Sequence, residues 1–96
     1  MNDYLLKLNK KLSDKNIELK IIILPYEFQT RSCSGKNLMP QIKLNKILEK
    51  LEVNFLDYTN YFCDHKNPKI LFYKFDPMHL SEKGHSLVFN LIKNEI

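Results

Sequence analysis

The sequence predicts an α/β fold in which helices alternate with the strands of a short parallel sheet. Two segments carry leucines at helical spacing, and residues 17–24 contain an unbroken aliphatic run. The predicted order of elements is helix, strand, helix, strand, short strand, helix, an alternation that yields right-handed crossovers between parallel strands. With 96 residues the chain can form one small domain, whose sheet has two or three strands.

The first two predicted elements are a surface helix and a buried strand. In residues 3–14, leucines recur on one helical face while the lysines fall elsewhere. These leucines are Leu5, Leu8 and Leu12. The aliphatic run in residues 17–24 has no polar alternation, which is typical of a parallel strand covered by helices on both faces. Pro25 ends the strand because proline cannot donate to a ladder.

Residues 25–40 form the longest stretch without a periodic pattern. This loop leaves the carboxyl end of the first strand, where open α/β sheets gather their ligands. Glu27, Gln29 and Arg31 are therefore candidates for lining a substrate pocket. The alternative is an ordinary solvated loop, and we favour it because exposed polar residues in loops are often idle.

The middle of the chain continues the alternation. Residues 40–52 are predicted as a helix, with Pro40 in its first turn and leucines and isoleucine on one face. Residues 53–58 are predicted as the second strand, with Asp57 at its carboxyl end. Three shorter segments follow: a turn or helix at 58–62, a loop at 65–68, and a brief strand or packed connector at 70–73.

An amphipathic helix is predicted to close the chain. Ser81 is well placed as its N-cap, since its hydroxyl can accept from the backbone N–H of Lys83 or Gly84. Gly84 shares one face with four aliphatic residues, and a glycine there lets the first turn pack closely against its neighbours. Those aliphatic residues are Leu87, Val88, Leu91 and Ile92. A capped and buried helix would hold the preceding segment in place.

That preceding segment carries the strongest chemical signal. Asp76 and His79 lie three residues apart, on what reads as a loop, immediately before the final helix. One short turn can bring the Asp76 carboxylate to the Nδ1–H of His79, which fixes the tautomer of the ring. Nε2 of His79 is then free to accept a proton.

The pattern Asp76-x-x-His79, followed by Leu80-Ser81-x-x-Gly84-His85 and an amphipathic helix, resembles the last conserved block of the SGNH hydrolases, also called the GDSL esterase/lipase family. The resemblance implies a three-layer α/β/α sandwich related in shape to flavodoxin. It also implies esterase or acyltransferase chemistry, with Asp76 as the triad acid and His79 as the general base.

Other parts of that family's pattern have no counterpart here. The chain has two glycines, Gly35 and Gly84, and no Gly-Asp-Ser segment of the kind that supplies the family's nucleophile. The two further blocks that give the family the Gly and Asn of its oxyanion hole have no counterpart either. Its serines lie in no strand-to-helix elbow of the kind that an activated nucleophile needs. These are Ser13, Ser32, Ser34, Ser81 and Ser86.

We therefore expect residues 1–96 to be the C-terminal half of an SGNH-like domain, inactive without a missing N-terminal half or a partner that covers the sheet edge. The resemblance suggests an acylated carbohydrate or a lipid as substrate. The alternative is a non-catalytic remnant or an interaction module that docks through the exposed sheet edge, because such an edge presents unpaired backbone groups.

Composition argues against several other classes. The net charge is +4, but fourteen of the fifteen basic residues are lysines dispersed along the whole chain. This pattern indicates simple solvation and no nucleic-acid partner. The longest aliphatic run is far too short for a membrane span. The N-terminus lacks the features of a signal peptide, so a cytoplasmic location is the default expectation.

The cysteines and histidines predict no metal site and no cofactor. Cys33 and Cys63 are too few for a disulfide framework, and we expect free thiols, although a single bridge is compatible with the sequence. Zinc sites normally show paired ligand spacing such as Cys-x-x-Cys, which is absent here. The potential ligands considered are Cys33, Cys63, His65, Asp76, His79 and His85.

Overall fold

Helices and strands alternate along the chain, which confirms the mixed α/β class. The computed structural model describes residues 2–95. Its helices are α1 (Asn2–Asp14), α2 (Met39–Lys50), α3 (Thr59–Cys63) and α4 (Glu82–Glu95). Its strands are β1 (Lys20–Ile23), β2 (Asn54–Asp57), β3 (Phe72–Tyr73) and β4 (Asp76–Leu80). The predicted helices at 3–14 and 40–52 match α1 and α2 to within two residues.

The same backbone motif ends α1 and α2 ahead of the strand that each precedes. After α1, Asn16 adopts a left-handed conformation with φ of 60°, and the Ile17 N–H donates to the Leu12 carbonyl at 2.8 Å. After α2, Glu52 takes the corresponding role with φ of 56°. This is the Schellman arrangement, which satisfies free carbonyls at a helix end and turns the chain. It directs both segments toward the sheet.

β1 and β2 form a parallel pair, as predicted. Their register runs from Lys20 opposite Asn54 to Ile23 opposite Asp57, and α2 lies in the crossover between them. β1 begins at Lys20, three residues later than residues 17–24 predicted, because the pairing with β2 begins only there. The parallel sheet therefore has two strands within residues 2–95.

The two faces of this pair contact different apolar clusters. Ile22 and Leu56 pack against the first cluster, and Ile21 and Phe55 pack against the second. The first, the α4-side cluster, comprises Tyr58, Phe62, Leu71 and Phe72 with Leu87, Val88, Leu91 and Ile92. The second, the α2-side cluster, comprises Ile23, Leu48 and Val53 with Leu5, Leu44 and Leu51. Alternate strand residues thus reach helices on opposite faces.

The predicted leucine stripe of α1 is only partly buried. Leu5 reaches the α2-side cluster, whereas Leu8 remains 45% exposed.

The lone buried hydroxyl without a hydrogen-bond partner in residues 2–95 belongs to Tyr58, in the α4-side cluster. Burial, with a smaller effect of the nearby Glu95 carboxylate, raises the pKa of Tyr58 above its ordinary value.

The segment that carries Asp76 and His79 is a strand, and its prediction as a loop was wrong. β4 pairs antiparallel with β3, with Phe72 opposite Leu80 and Tyr73 opposite Asp76. The register shifts between Phe72 and Tyr73, so the hairpin is irregular. A two-residue strand beside a proline-containing one lacks the alternation that identifies strands in a sequence. Residues 70–73 are correspondingly split between the 3-10 turn Pro68–Leu71 and β3.

Ser81 and Gly84 join this hairpin to α4. The Ser81 backbone N–H donates to the Leu71 carbonyl at 2.9 Å, and the Ser81 hydroxyl donates to the Ile70 carbonyl at 2.5 Å. The same hydroxyl accepts from the Gly84 N–H at 3.2 Å, which confirms the predicted N-cap. Gly84 is buried, and a Cβ there would lie 2.1 Å from the Leu71 oxygen. Only glycine fits this contact without a shift of the backbone.

A disulfide bond links Cys33 to Cys63, so the expectation of free thiols was wrong. The Cα atoms are 6.1 Å apart, and the bridge ties the loop after β1 to the last residue of α3. The two cysteines are 30 positions apart along the chain, and they meet in the fold because Cys33 follows β1 and Cys63 follows β2 of the parallel pair. Bridges of this kind persist in oxidising compartments.

We expect Gly84→Ala to lower the free energy of unfolding by about 1–3 kcal/mol, the usual cost of overpacking. The overlap with the Leu71 carbonyl outweighs the gain in helix propensity, which is about 1 kcal/mol. Urea denaturation followed by circular dichroism measures the change. Asn90→Ala, at an exposed position of α4, serves as the control and should not lower stability, because alanine has a higher helix propensity than asparagine. Equal stabilities of the Gly84→Ala variant and the wild type would contradict the close contact.

We expect replacement of both Cys33 and Cys63 by serine to lower the free energy of unfolding by about 3–4 kcal/mol, because the bridge restricts the unfolded chain. The measurement is urea denaturation with and without a reducing agent. The wild type should weaken on reduction, whereas the double variant should not respond. Two titratable thiols in the denatured, unreduced wild type would exclude the bridge.

Candidate functional site

Asp76 and His79 form the contact that their spacing predicts. Oδ2 of Asp76 lies 2.6 Å from Nδ1 of His79, and the two side chains are 50% and 73% exposed, respectively. The other carboxylate oxygen of Asp76 accepts from the Met78 backbone N–H at 3.3 Å, which orients the acid. A carboxylate accepts from Nδ1 only when Nδ1 carries the proton. The neutral ring therefore presents an unprotonated Nε2 to solvent.

The irregular hairpin explains how two residues of one strand can touch. Side chains three apart on a regular strand point to opposite faces. The shifted register beside Asp76, together with Pro77, breaks that alternation and brings both side chains to one side. The Ser81 and Gly84 contacts then hold the far end of β4 against the 3-10 turn that precedes β3.

No hydrogen bond formed within residues 2–95 joins His79 to a serine. The hydroxyl of Ser81, the nearest serine in sequence, is committed to the Ile70 carbonyl and the Gly84 N–H. The other serines lie in α1, in the loop between β1 and α2, and in α4. The described part of the chain thus holds an acid and an imidazole without a paired nucleophile.

Part of the loop after β1 is buried, so the preferred alternative of an ordinary solvated loop was wrong for Glu27 and Gln29, whereas Arg31 is exposed. Glu27 and Gln29 are only 6% and 3% exposed. The Glu27 carboxylate binds Arg31 through both oxygens, accepting from Nε at 3.1 Å and from Nη2 at 2.8 Å. These hydrogen bonds, and then the charge of Glu27, raise the pKa of Arg31 above its usual value. A short 3-10 turn, Glu27–Arg31, presents these side chains.

Gln29 pairs with a residue that sequence reasoning did not single out. The amide groups of Gln29 and Gln41 exchange two hydrogen bonds, at 2.9 and 2.8 Å. The available signal was that Gln41 lies three residues before Leu44 on the apolar stripe of α2, where a polar residue needs a buried partner. The pair lies at the wall of a cavity of about 400 Å³, beside the stacked rings of Tyr26 and Phe28.

A second cavity, of about 530 Å³, lies on the hairpin side of the Glu27–Arg31 turn. We call it the basic cavity. Its lining residues include Glu27, Arg31, Lys69, Lys74, Phe72 and Pro77. Pro77 directly follows Asp76 in β4. The basic cavity therefore adjoins the hairpin that carries the Asp76–His79 pair.

Asp57, at the carboxyl end of β2, has a structural role in the described residues. Its carboxylate accepts from the Asn45 side chain at 2.8 Å, and from the backbone N–H and the hydroxyl of Thr59 at 3.0 and 2.6 Å. These hydrogen bonds tie α2 to the start of α3. Three of the roughly four acceptor positions of the carboxylate are thereby occupied.

The candidate metal ligands do not converge. Within residues 2–95 no group of three His, Cys, Asp or Glu side chains is placed to hold a metal ion. Cys33 and Cys63 are bonded to each other, and Nδ1 of His65 accepts from the Asn67 N–H at 3.0 Å.

Within residues 2–95 no helix is both long and apolar enough to cross a membrane.

Comparisons of the chain with protein-family models, with curated proteins and with solved structures found no match. The resemblance to the SGNH hydrolases therefore rests on residues 76–85 and the helix that follows them.

His65 and His79 each form a hydrogen bond through Nδ1, and we expect the two rings to adopt opposite tautomers when they are neutral. Nδ1 of His79 donates to a carboxylate, whereas Nδ1 of His65 accepts from a backbone N–H. Nitrogen-15 NMR at a pH where the rings are neutral should show His79 protonated at Nδ1 and His65 protonated at Nε2. Asp76→Ala should abolish the preference at His79 and leave His65 unchanged. The same tautomer at both rings in the wild type would refute the assigned contact.

Proposed function

We propose that residues 1–96 are the C-terminal part of an SGNH-like serine hydrolase domain, in which Asp76 and His79 are the acid and the general base. The observation that carries the proposal is the 2.6 Å contact between Oδ2 of Asp76 and Nδ1 of His79, with the ring 73% exposed. An orienting carboxylate on one nitrogen and an accessible second nitrogen are what a general base requires.

The proposed reaction is ester hydrolysis or acyl transfer. A serine from polypeptide outside residues 2–95 attacks the acyl carbonyl, and its proton passes to Nε2 of His79. The Asp76 carboxylate stays ionised and stabilises the imidazolium. His79 then gives the proton to the leaving alkoxide, and a water or an acceptor alcohol releases the acyl group through the same two proton transfers. The oxyanion donors come from the same outside segment.

The arrangement of the core supports a three-layer, flavodoxin-like architecture for this domain. Helices reach both faces of the parallel pair through the α4-side and α2-side clusters. Within residues 2–95, β1 pairs with β2 alone, so its second edge has no strand beside it. Unpaired backbone groups beside an aliphatic strand favour a further strand at that edge. We propose that the polypeptide carrying the serine supplies it.

The same edge favours a second candidate function, a non-catalytic interaction module that binds a partner strand by β-augmentation. In that case His79 has no proton to transfer. The two functions share the docked edge and differ in whether His79 matters for turnover.

Acylated carbohydrates and lipid esters are the proposed substrate classes for the hydrolase.

A segment exchange tests the proposal. Residues 68–95, which contain the hairpin and α4, replace the equivalent C-terminal segment of an intact SGNH esterase, so that the host supplies serine and oxyanion donors. The chimera should hydrolyse p-nitrophenyl acetate, and His79→Ala within it should lower kcat by about 10²–10⁴-fold, the usual contribution of a general base. Residues 1–96 alone should show no turnover that depends on His79.

His85→Ala in the same chimera is the matched control, because His85 is an exposed histidine of the same matched block and takes no part in the proposed proton transfers. Its kcat should stay close to that of the parent chimera. A folded chimera that is inactive, or whose turnover is unchanged by His79→Ala, would contradict the hydrolase proposal and leave the interaction module.

A further inference from the structure

The basic cavity is lined by three basic side chains, one of which is the sole arginine of the chain. Arg31 is the sole arginine in the sequence, and it lines this cavity with Lys69 and Lys74. Glu27 is the one acidic residue among the lining residues, so their net formal charge is +2 at neutral pH. A concave surface with this excess of positive charge attracts anions.

Arg31 is held by a buried carboxylate. The Glu27 side chain is 7% exposed, whereas that of Arg31 is 65% exposed. Burial of a carboxylate is costly unless it is paired, and Glu27 is the only buried charged residue within residues 2–95. Both of its oxygens bind the guanidinium. The pair therefore fixes the orientation of Arg31 without removing it from solvent.

The fixed guanidinium still has donors to offer. An arginine has five N–H donors, and two of them bind Glu27, so three remain for a ligand. A planar guanidinium matches the geometry of a carboxylate or phosphate, and a pre-oriented one loses less entropy on binding. An ordinary surface lysine lacks both properties.

The cavity also has an apolar side, to which the hairpin that carries Asp76 and His79 contributes. Phe72 and Pro77 line it together with Ile70 and Tyr73. Pro77 follows Asp76 directly, and the hairpin that supplies these walls also carries His79. A ligand with its anionic group at Arg31 can thus extend along apolar surface toward the hairpin.

We propose that the basic cavity binds the carboxylate or phosphate of an anionic ester substrate, with Arg31 as the main anchor and Lys69 and Lys74 adding charge. This inference rests on the proposed hydrolase function, because it assigns the ester to the neighbouring Asp76–His79 pair. The part that concerns anion binding is measured with no ester present, so its failure is distinct from a failure of the segment exchange.

The probes are inorganic phosphate and acetate, titrated separately into residues 1–96 at constant ionic strength. Backbone ¹H–¹⁵N NMR should show saturable shifts at Arg31, Lys69 and Lys74, and weaker or no shifts along α1. Saturation by phosphate alone or by acetate alone identifies the class of anion in the substrate.

Two variants distinguish anion binding by the Arg31 guanidinium from a general attraction of anions to positive charge. Arg31→Lys keeps the charge and removes the guanidinium fork, and it should weaken binding of the preferred anion about tenfold, the value of one charge-assisted hydrogen bond. Lys10→Gln, in the exposed part of α1, removes a charge elsewhere and should leave the affinity unchanged.

Three results would overturn the inference. They are no saturable shift with either anion, an unchanged affinity in a folded Arg31→Lys variant, and an equal loss of affinity in Lys10→Gln. Saturable binding that depends on Arg31, together with an inactive segment exchange, would retain the anion site and reject its link to ester hydrolysis.

Discussion

The close contact between Gly84 and Leu71 is the constraint on which the candidate site depends. A Cβ at position 84 would lie 2.1 Å from the Leu71 oxygen, so the first turn of α4 approaches the backbone of the preceding 3-10 turn directly. Ser81 completes this junction with hydrogen bonds to Ile70, Leu71 and Gly84. The β3–β4 hairpin is thereby attached at its base to α4, whose aliphatic side chains pack against the α4-side cluster.

This attachment gives an exposed pair of residues a defined position. Asp76 and His79 are half or more exposed, and no apolar packing of their own holds them. Their placement comes from the hairpin, and that of the hairpin comes from α4. On the other side of the basic cavity, Glu27 fixes Arg31, and the Cys33–Cys63 bridge fixes the loop that follows. The Glu27–Arg31 turn and the β3–β4 hairpin thus line the same cavity.

Local patterns in the sequence were sufficient to predict α1, α2, α4, β1 and β2, and the contact between Asp76 and His79. The leucine spacing of α1 and α2, the Ser81 N-cap and the three-residue spacing of Asp76 and His79 all depend on neighbours within one or two turns. Contacts between segments that are distant in the sequence could not be predicted from such patterns. The disulfide, the β3–β4 hairpin, the burial of Glu27 and the Gln29–Gln41 pair each depend on segments that meet only in the folded chain.

Native-state hydrogen exchange at the Ser81 amide tests the central claim most directly, because that N–H donates to the Leu71 carbonyl at 2.9 Å. If α4 holds the hairpin, this amide should exchange only through global unfolding, with the same opening free energy as the core of β1 and β2. Exchange of Ser81 as fast as that of an unprotected amide, while β1 and β2 stay protected, would show that the hairpin is loose and would contradict the account.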